Sequence, residues 1–295
     1  MIGLELVCLA IVSSYVAFRM WRARSRRERA EIASQLAALA VAGFVGEDTL
    51  IRAHGYYAYA TGWSVRLDRV PVVIVLVWPI VIHSAWSIAR IVERGRGATR
   101  IATVAALVVL ADASLIEPIA VRAGLWRWTE PGLFGVPLVG VAGWAFFAWA
   151  AVNVLERGRV WAVCVLAPLA THAMILGAWW GAFRWTQGEI AAPPATVLAW
   201  GVSLALSLRV ARARGPGFPR SELFARLPGA AFFFVLLALT GAPRDFAAPD
   251  ERPYVAPPDL LFTLVAYALA FAPPYLVALA VGSTQGLETT RPSGR

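Results

Sequence analysis

ADASLIEPIAVRAGLWRWTEPGLFGVPLVGVAGW, residues 111–144, decides how this chain is read. The stretch opens as the end of an apolar run of bilayer-crossing character, yet it holds two carboxylates, Asp112 and Glu117. It then breaks into a loop that gathers Trp126, Trp128, two prolines and several glycines. An acid at the centre of a membrane helix costs about 3 kcal/mol on insertion scales, so such residues mark functional sites by default. Each acid alone has a simpler use, Asp112 as a helix cap and Glu117 as a side chain reaching the interface. The pair in one run is harder to explain that way.

The rest of the chain agrees with a membrane setting. Its 295 residues are 59% hydrophobic and 15% charged, with a mean hydropathy of +0.64. Soluble domains carry about 25% charged residues. Runs of about 20 apolar residues mark crossing helices. They fall at 2–20, 32–51, 70–91, 101–123, 133–155, 160–183, 190–210, 228–241 and 260–282. The pattern predicts an all-α polytopic transmembrane bundle of eight or nine helices. It forms one domain over residues 1–285, with 286–295 a disordered tail and 242–258 a proline-rich loop. The first run has neither a charged leader nor a small-residue cleavage site, so it reads as a retained helix.

The 27 basic residues are all arginine, and the net charge is +9. In a soluble protein that balance would point to nucleic acid. Here the arginines lie in the connections between spans, so they report orientation and no nucleic-acid partner is expected. Nineteen fall on one side and eight on the other. The positive-inside bias then places the N-terminus outside and the C-terminus in the cytoplasm, for a protein expected in the bacterial inner membrane. Cys8 and Cys164 both sit in apolar runs, which argues against a disulfide framework.

Chemistry-bearing residues gather at one depth. The second run ends GEDTLIRAHGYYAY, residues 46–59. A helix continuing through His54 puts Glu47, Ile51 and His54 on one face. Asp48 and Arg52 stand four apart and suit a simple ion pair. Pro79 in the third run leaves a carbonyl unpaired, which His83 or Ser84 could satisfy. His172 reads as a satisfied core histidine. With three histidines in all, the chain lacks the ligands of a histidine-box di-iron enzyme. It has no dinucleotide-binding glycine motif and no C-x-x-C for zinc or c-type haem. Two lone histidines, His83 and His172, are a weak basis for a b-type haem.

The residues GYYAY at 55–59 and RVPVVIVLVW at 69–78, with Asp112, Glu117-Pro118, GLWRW at 124–128 and Gly135 through Trp144, resemble the integral-membrane carotenoid biosynthesis protein family. That family includes the carotenoid hydratases, among them bisanhydrobacterioruberin hydratase. The resemblance covers about a third of the chain, from Glu47 to Trp149. It implies addition of water to a terminal C=C of an acyclic or monocyclic carotenoid, without metal, cofactor or redox partner.

The residues suit that chemistry. A trisubstituted alkene must be protonated by a carboxylic acid, and an apolar setting favours the neutral acid. Asp112, deepest in its run, is the expected proton donor. The resulting tertiary cation is stabilised by aromatic faces, with Trp126, Trp128, Tyr56 and Tyr57 as candidates, and Trp78, His83 and Trp144 complete the expected substrate-binding set. Glu117, Glu47 or His54 would activate the water, and Asp48 is a further candidate acid. The expected partners are a lipophilic polyene reaching the site from the bilayer, water, and other membrane enzymes of the same pathway. The rival reading is a non-enzymatic carotenoid- or lipid-binding scaffold, or a small transporter. That reading explains the glycines of 132–143 as close helix packing.

Overall fold

In hydrocarbon a backbone must satisfy its own hydrogen bonds, so each long apolar run closes into a helix. The computed structural model describes residues 1–130, 132, 135–185, 192–212, 219–239 and 273–278. Its elements run α1 (Ile2–Arg22), α2 (Arg26–His54), β1 (Tyr57–Tyr59), β2 (Arg66–Leu67), β3 (Val70–Pro71), α3 (Val72–Val92), α4 (Ala98–Arg122) and β4 (Trp126–Trp128). Then follow α5 (Leu138–Leu155), α6 (Val163–Gly181), α7 (Ala192–Ala211), α8 (Arg220–Phe224) and α9 (Leu227–Leu239). The fold is an all-α polytopic bundle. Among the described residues, six helical stretches are long and apolar enough to cross a membrane, α8 and α9 counting as one.

The helices follow the apolar runs closely, with informative differences at their ends. α2 is longer than its run, because Ser25 caps it, accepting from the Glu28 backbone N–H. It continues through His54, as the one-face argument requires. α5 starts late, at Leu138, since Pro137 fixes extended backbone ahead of it. α4 runs unbroken past Asp112, so that residue caps nothing. Of the run at 260–282 only 273–278 is described, and it is helical. The proline-rich loop and the tail lie outside the described residues.

α4 is the central helix, packing against α3, α5, α7 and α9. The core is built from small residues at the crossings: Ala38 and Ala42 of α2, Ala85 and Ala89 of α3, Ala102 and Ala105 of α4, Ala148 and Ala151 of α5. Such residues let helix backbones approach closely where apolar burial gives no drive between helices. At the arginine-rich end, Glu156 accepts from Trp86 Nε1 at 2.5 Å and pairs with Arg90 at 2.8 Å, tying α5 to α3.

The opposite end carries a feature that the apolar runs did not announce. α2 and α4 both stop at a glycine in left-handed backbone, Gly55 at φ 61° and Gly124 at φ 67°. This is the usual helix-ending use of glycine, which has no Cβ to clash. Each stop is followed by a short strand, and β1 and β4 pair antiparallel with Tyr57 opposite Trp128 and Tyr59 opposite Trp126. Side chains alternate across a strand. The four aromatic rings therefore share one face, while Ala58 and Arg127 share the other.

Candidate functional site

The aromatic face of the β1–β4 ribbon closes one end of a cavity of ≈ 520 Å³ between α1, α2, α3, α4, α5 and α9. The volume is within the about 300–1,000 Å³ typical of small-molecule sites. Its lining is almost wholly apolar, and three carboxylates interrupt it: Glu47, Glu117 and Asp112.

Glu117 is 2% exposed. It accepts three indole N–H bonds, from Trp126 at 2.8 Å and Trp128 at 2.9 Å on one oxygen and from Trp144 at 2.7 Å on the other. It does not reach out to the interface. Glu47, one helix away, accepts from Tyr59 at 2.8 Å, from Trp78 Nε1 at 2.8 Å, and from Tyr57. Each acid thus holds three aromatic donors.

The two sets of donors pack ring against ring, two pairs tilted and one edge to face. Tyr57 lies against Trp128 with ring centroids 4.8 Å apart, Tyr59 against Trp126 at 5.8 Å, and Trp78 against Trp144 at 4.5 Å. In every pair one ring serves Glu47 and the other Glu117. Burial, foremost, pushes the phenols of Tyr57 and Tyr59 well above their ordinary range. They remain protonated donors at any physiological pH.

Asp112 lies in a different setting. Arg226, at the junction of α8 and α9, donates to its carboxylate. Arg226 also donates to Ser84 Oγ at 2.5 Å and to Tyr275 Oη at 3.3 Å. Asp112 is therefore the counter-ion of a buried guanidinium, whereas Glu47 and Glu117 face neutral donors.

A family model described as "Carotenoid biosynthesis protein" matches residues 4–174, more than half of the chain. The chain belongs to the carotenoid biosynthesis protein family. No curated protein and no solved structure matches it. Both acids of the aromatic cluster and all six of their donors lie inside the family match, whereas Arg226 and Tyr275 lie beyond it.

The remaining site candidates of this family member divide. Asp48 pairs with Arg52 at 2.8 Å, the simple ion pair that the spacing suggested. His54 bonds His172 at 3.2 Å and stacks on Tyr56 with centroids 5.0 Å apart; none of these three bonds Glu47 or Glu117. His172 also bonds Thr49 at 2.9 Å. His83 takes no part in satisfying the helix at Pro79; its Nδ1 meets Tyr15 Oη at 2.9 Å. Ser84 bonds the Val81 carbonyl at 3.1 Å.

Tyr59 and Arg226 were missed by sequence reasoning. Tyr59 was legible: Tyr57 and Tyr59, like Trp126 and Trp128, are spaced by two, the period of a strand face. Arg226 carried no signal, because it read as one more arginine in a connection between spans.

Proposed function

We propose that this carotenoid biosynthesis protein is a hydratase, adding water to a terminal C=C of an acyclic or monocyclic carotenoid. The observation that carries the reading is the pair of cavity acids, Glu47 and Glu117, in an apolar chamber walled by their own aromatic donors.

The two donor sets imply two roles. An indole N–H only donates, whereas a phenol both donates and accepts. Glu117, ringed by indoles alone, is matched to a carboxylate. Glu47, ringed by two phenols and one indole, keeps a satisfied network when it carries a proton, because that O–H can be accepted by Tyr57 or Tyr59. Glu47 is therefore assigned as proton donor. It protonates the less substituted alkene carbon and leaves a tertiary cation. The Trp and Tyr faces of the cluster and the Glu117 carboxylate stabilise that cation. Water adds through oxygen and loses its proton to Glu117. Cavity water then returns the proton to Glu47, so the cycle consumes one water and no net acid.

The test is expression in a strain accumulating acyclic and monocyclic carotenes, with mass analysis of the pigments. Products heavier by one water are expected, and they should vanish with Glu47→Gln. Unaltered pigment alongside inserted wild-type protein would overturn the reading in favour of a binding or transport role.

A further inference from the structure

The α8–α9 segment supplies one wall of the cavity, and it lies wholly outside the family match. Two ion pairs of opposite polarity, four residues apart, hold it in place. Glu222 pairs with Arg19 of α1 at 2.9 Å, both side chains about one-tenth exposed. Arg226 pairs with Asp112 of α4, at 11% and 19% side-chain exposure. Their partners sit on α1 and α4, so the two tethers draw the α8 end of the segment against the bundle. Beyond them α9 presents Gly229, Phe232 and Phe233 to the cavity. Its far end buries Leu236 and Leu237 in the cluster that contains Trp126. The wall therefore runs from the Asp112 ion pair to the indoles that serve Glu117.

Resting on the carotenoid reading of the site, we propose that α8–α9 is the wall that determines specificity, with Phe232 and Phe233 setting which polyene end reaches Glu47 and Glu117. An opened-out acyclic end is slim, whereas a ring-bearing end is broad. Rings packed edge to face at 5.1 Å, as Phe232 and Phe233 are, narrow the chamber on that side. Asp112, Arg226, Arg19 and Glu222 are positioning residues in this scheme. They act through the wall and touch no reacting atom. Charges withdrawn from water are held by their partners, because separation would leave each uncompensated. The wall is thereby fixed in depth, and the two aromatic rings with it.

The decisive experiment measures binding and does not need turnover. Wild type, Phe232→Ala, Phe233→Ala and Glu222→Arg/Arg19→Glu are produced in cells holding both acyclic and monocyclic carotenes. Each is purified in mild detergent, and its retained carotenes are quantified by chromatography. The wild type should retain one class preferentially. The alanine variants should shift the retained ratio at least several-fold toward ring-bearing carotenes while the protein still purifies folded, with a lower melting temperature from the packing lost against the Trp126 cluster. The charge exchange should keep the wild-type ratio, whereas Glu222→Arg alone should lose it. An unchanged ratio in both alanine variants overturns the proposal, as does a wild type that retains no carotene. Absence of hydrated product with the retained ratios as expected would sink the hydratase reading and leave the wall standing.

Discussion

Tyr57 and Trp128 are cross-strand partners whose rings pack tilted at 4.8 Å, and each donates a hydrogen bond to a different cavity acid, Tyr57 to Glu47 and Trp128 to Glu117. One pair of neighbours in a six-residue ribbon therefore couples two helices and two carboxylates. Tyr57→Phe keeps the packed ring and removes the hydroxyl. Turnover should fall with little loss of melting temperature, since cross-strand packing is retained and one net hydrogen bond is worth about 1 kcal/mol. Trp128→Phe should likewise lower turnover while the protein still inserts. Pigment hydration measured per unit of membrane-inserted protein decides both. Unchanged rates would reduce the two residues to packing groups.

The two acids should respond differently to the same substitution. Glu47→Gln places an amide beside phenols that can accept from it, so the fold should hold. Hydration should drop by about 10²–10⁴-fold, the usual contribution of a general acid. Glu117→Gln points an amide N–H at indoles that only donate. It should lower activity and also destabilise the protein by about 1–3 kcal/mol through an unpaired buried donor. Thermal melts in detergent beside pigment assays separate the two. Equal melting losses would sink the assignment of roles.

Much of this was written in the chain. Apolar runs located the helices because hydrocarbon leaves the backbone few alternatives, and Asp112 and Glu117 stood out because charge in such runs is rare. Glu117 was legible as a candidate, but its partners were not, because Trp126 and Trp128 also suit an interfacial belt. Only the pairing of two strands, from segments about 70 residues apart in the 295-residue chain, turns those rings inward. Asp112 looked like the donor because depth was visible and Arg226 was not. The arginine sits 114 positions away, and no local pattern links the two.

That pairing changes what Asp112→Asn should do. The isosteric amide would leave Arg226 buried without its acid, and breaking such a pair costs about 3–5 kcal/mol. The expected result is less folded protein and a lower melting temperature, with the hydration that remains in the folded fraction less selective between acyclic and ring-bearing carotenes. Asp112→Leu combined with Arg226→Met should restore much of the stability, since an apolar pair removes both charges at once. If Asp112→Asn melts like the wild type and makes no hydrated product, Asp112 is the donor after all.

The arginine asymmetry makes a separate statement about orientation. A reporter inserted in the connection between α3 and α4, residues 93–97, should be cytoplasmic. One inserted at 61–64, near the β1–β4 ribbon, should be external. The aromatic site would then lie toward the outer leaflet. Both insertions reporting the same side would break the topology.

The sharpest steric prediction concerns Gly140 at the start of α5. A Cβ added there would stand 2.7 Å from Cζ2 and 3.0 Å from Cε2 of Trp128. These distances lie well inside van der Waals contact, so the indole must move or the helix must retreat. Trp128 is gripped by its bond to Glu117 and by Tyr57, so yielding costs the cluster its geometry. Gly140→Ala should therefore destabilise by about 1–3 kcal/mol, the usual cost of overpacking, and lower hydration beyond what the lost stability explains. Gly43 plays the matching part for the other acid, its added Cβ falling 2.9 Å from Cβ of Trp78. The check is a double variant. Replacing Trp128 by Phe in the Gly140→Ala background removes the clashing ring edge, so stability should recover while hydration does not. If Gly140→Ala alone hydrates carotenes at the wild-type rate, the position of the Trp128 indole does not matter to the reaction.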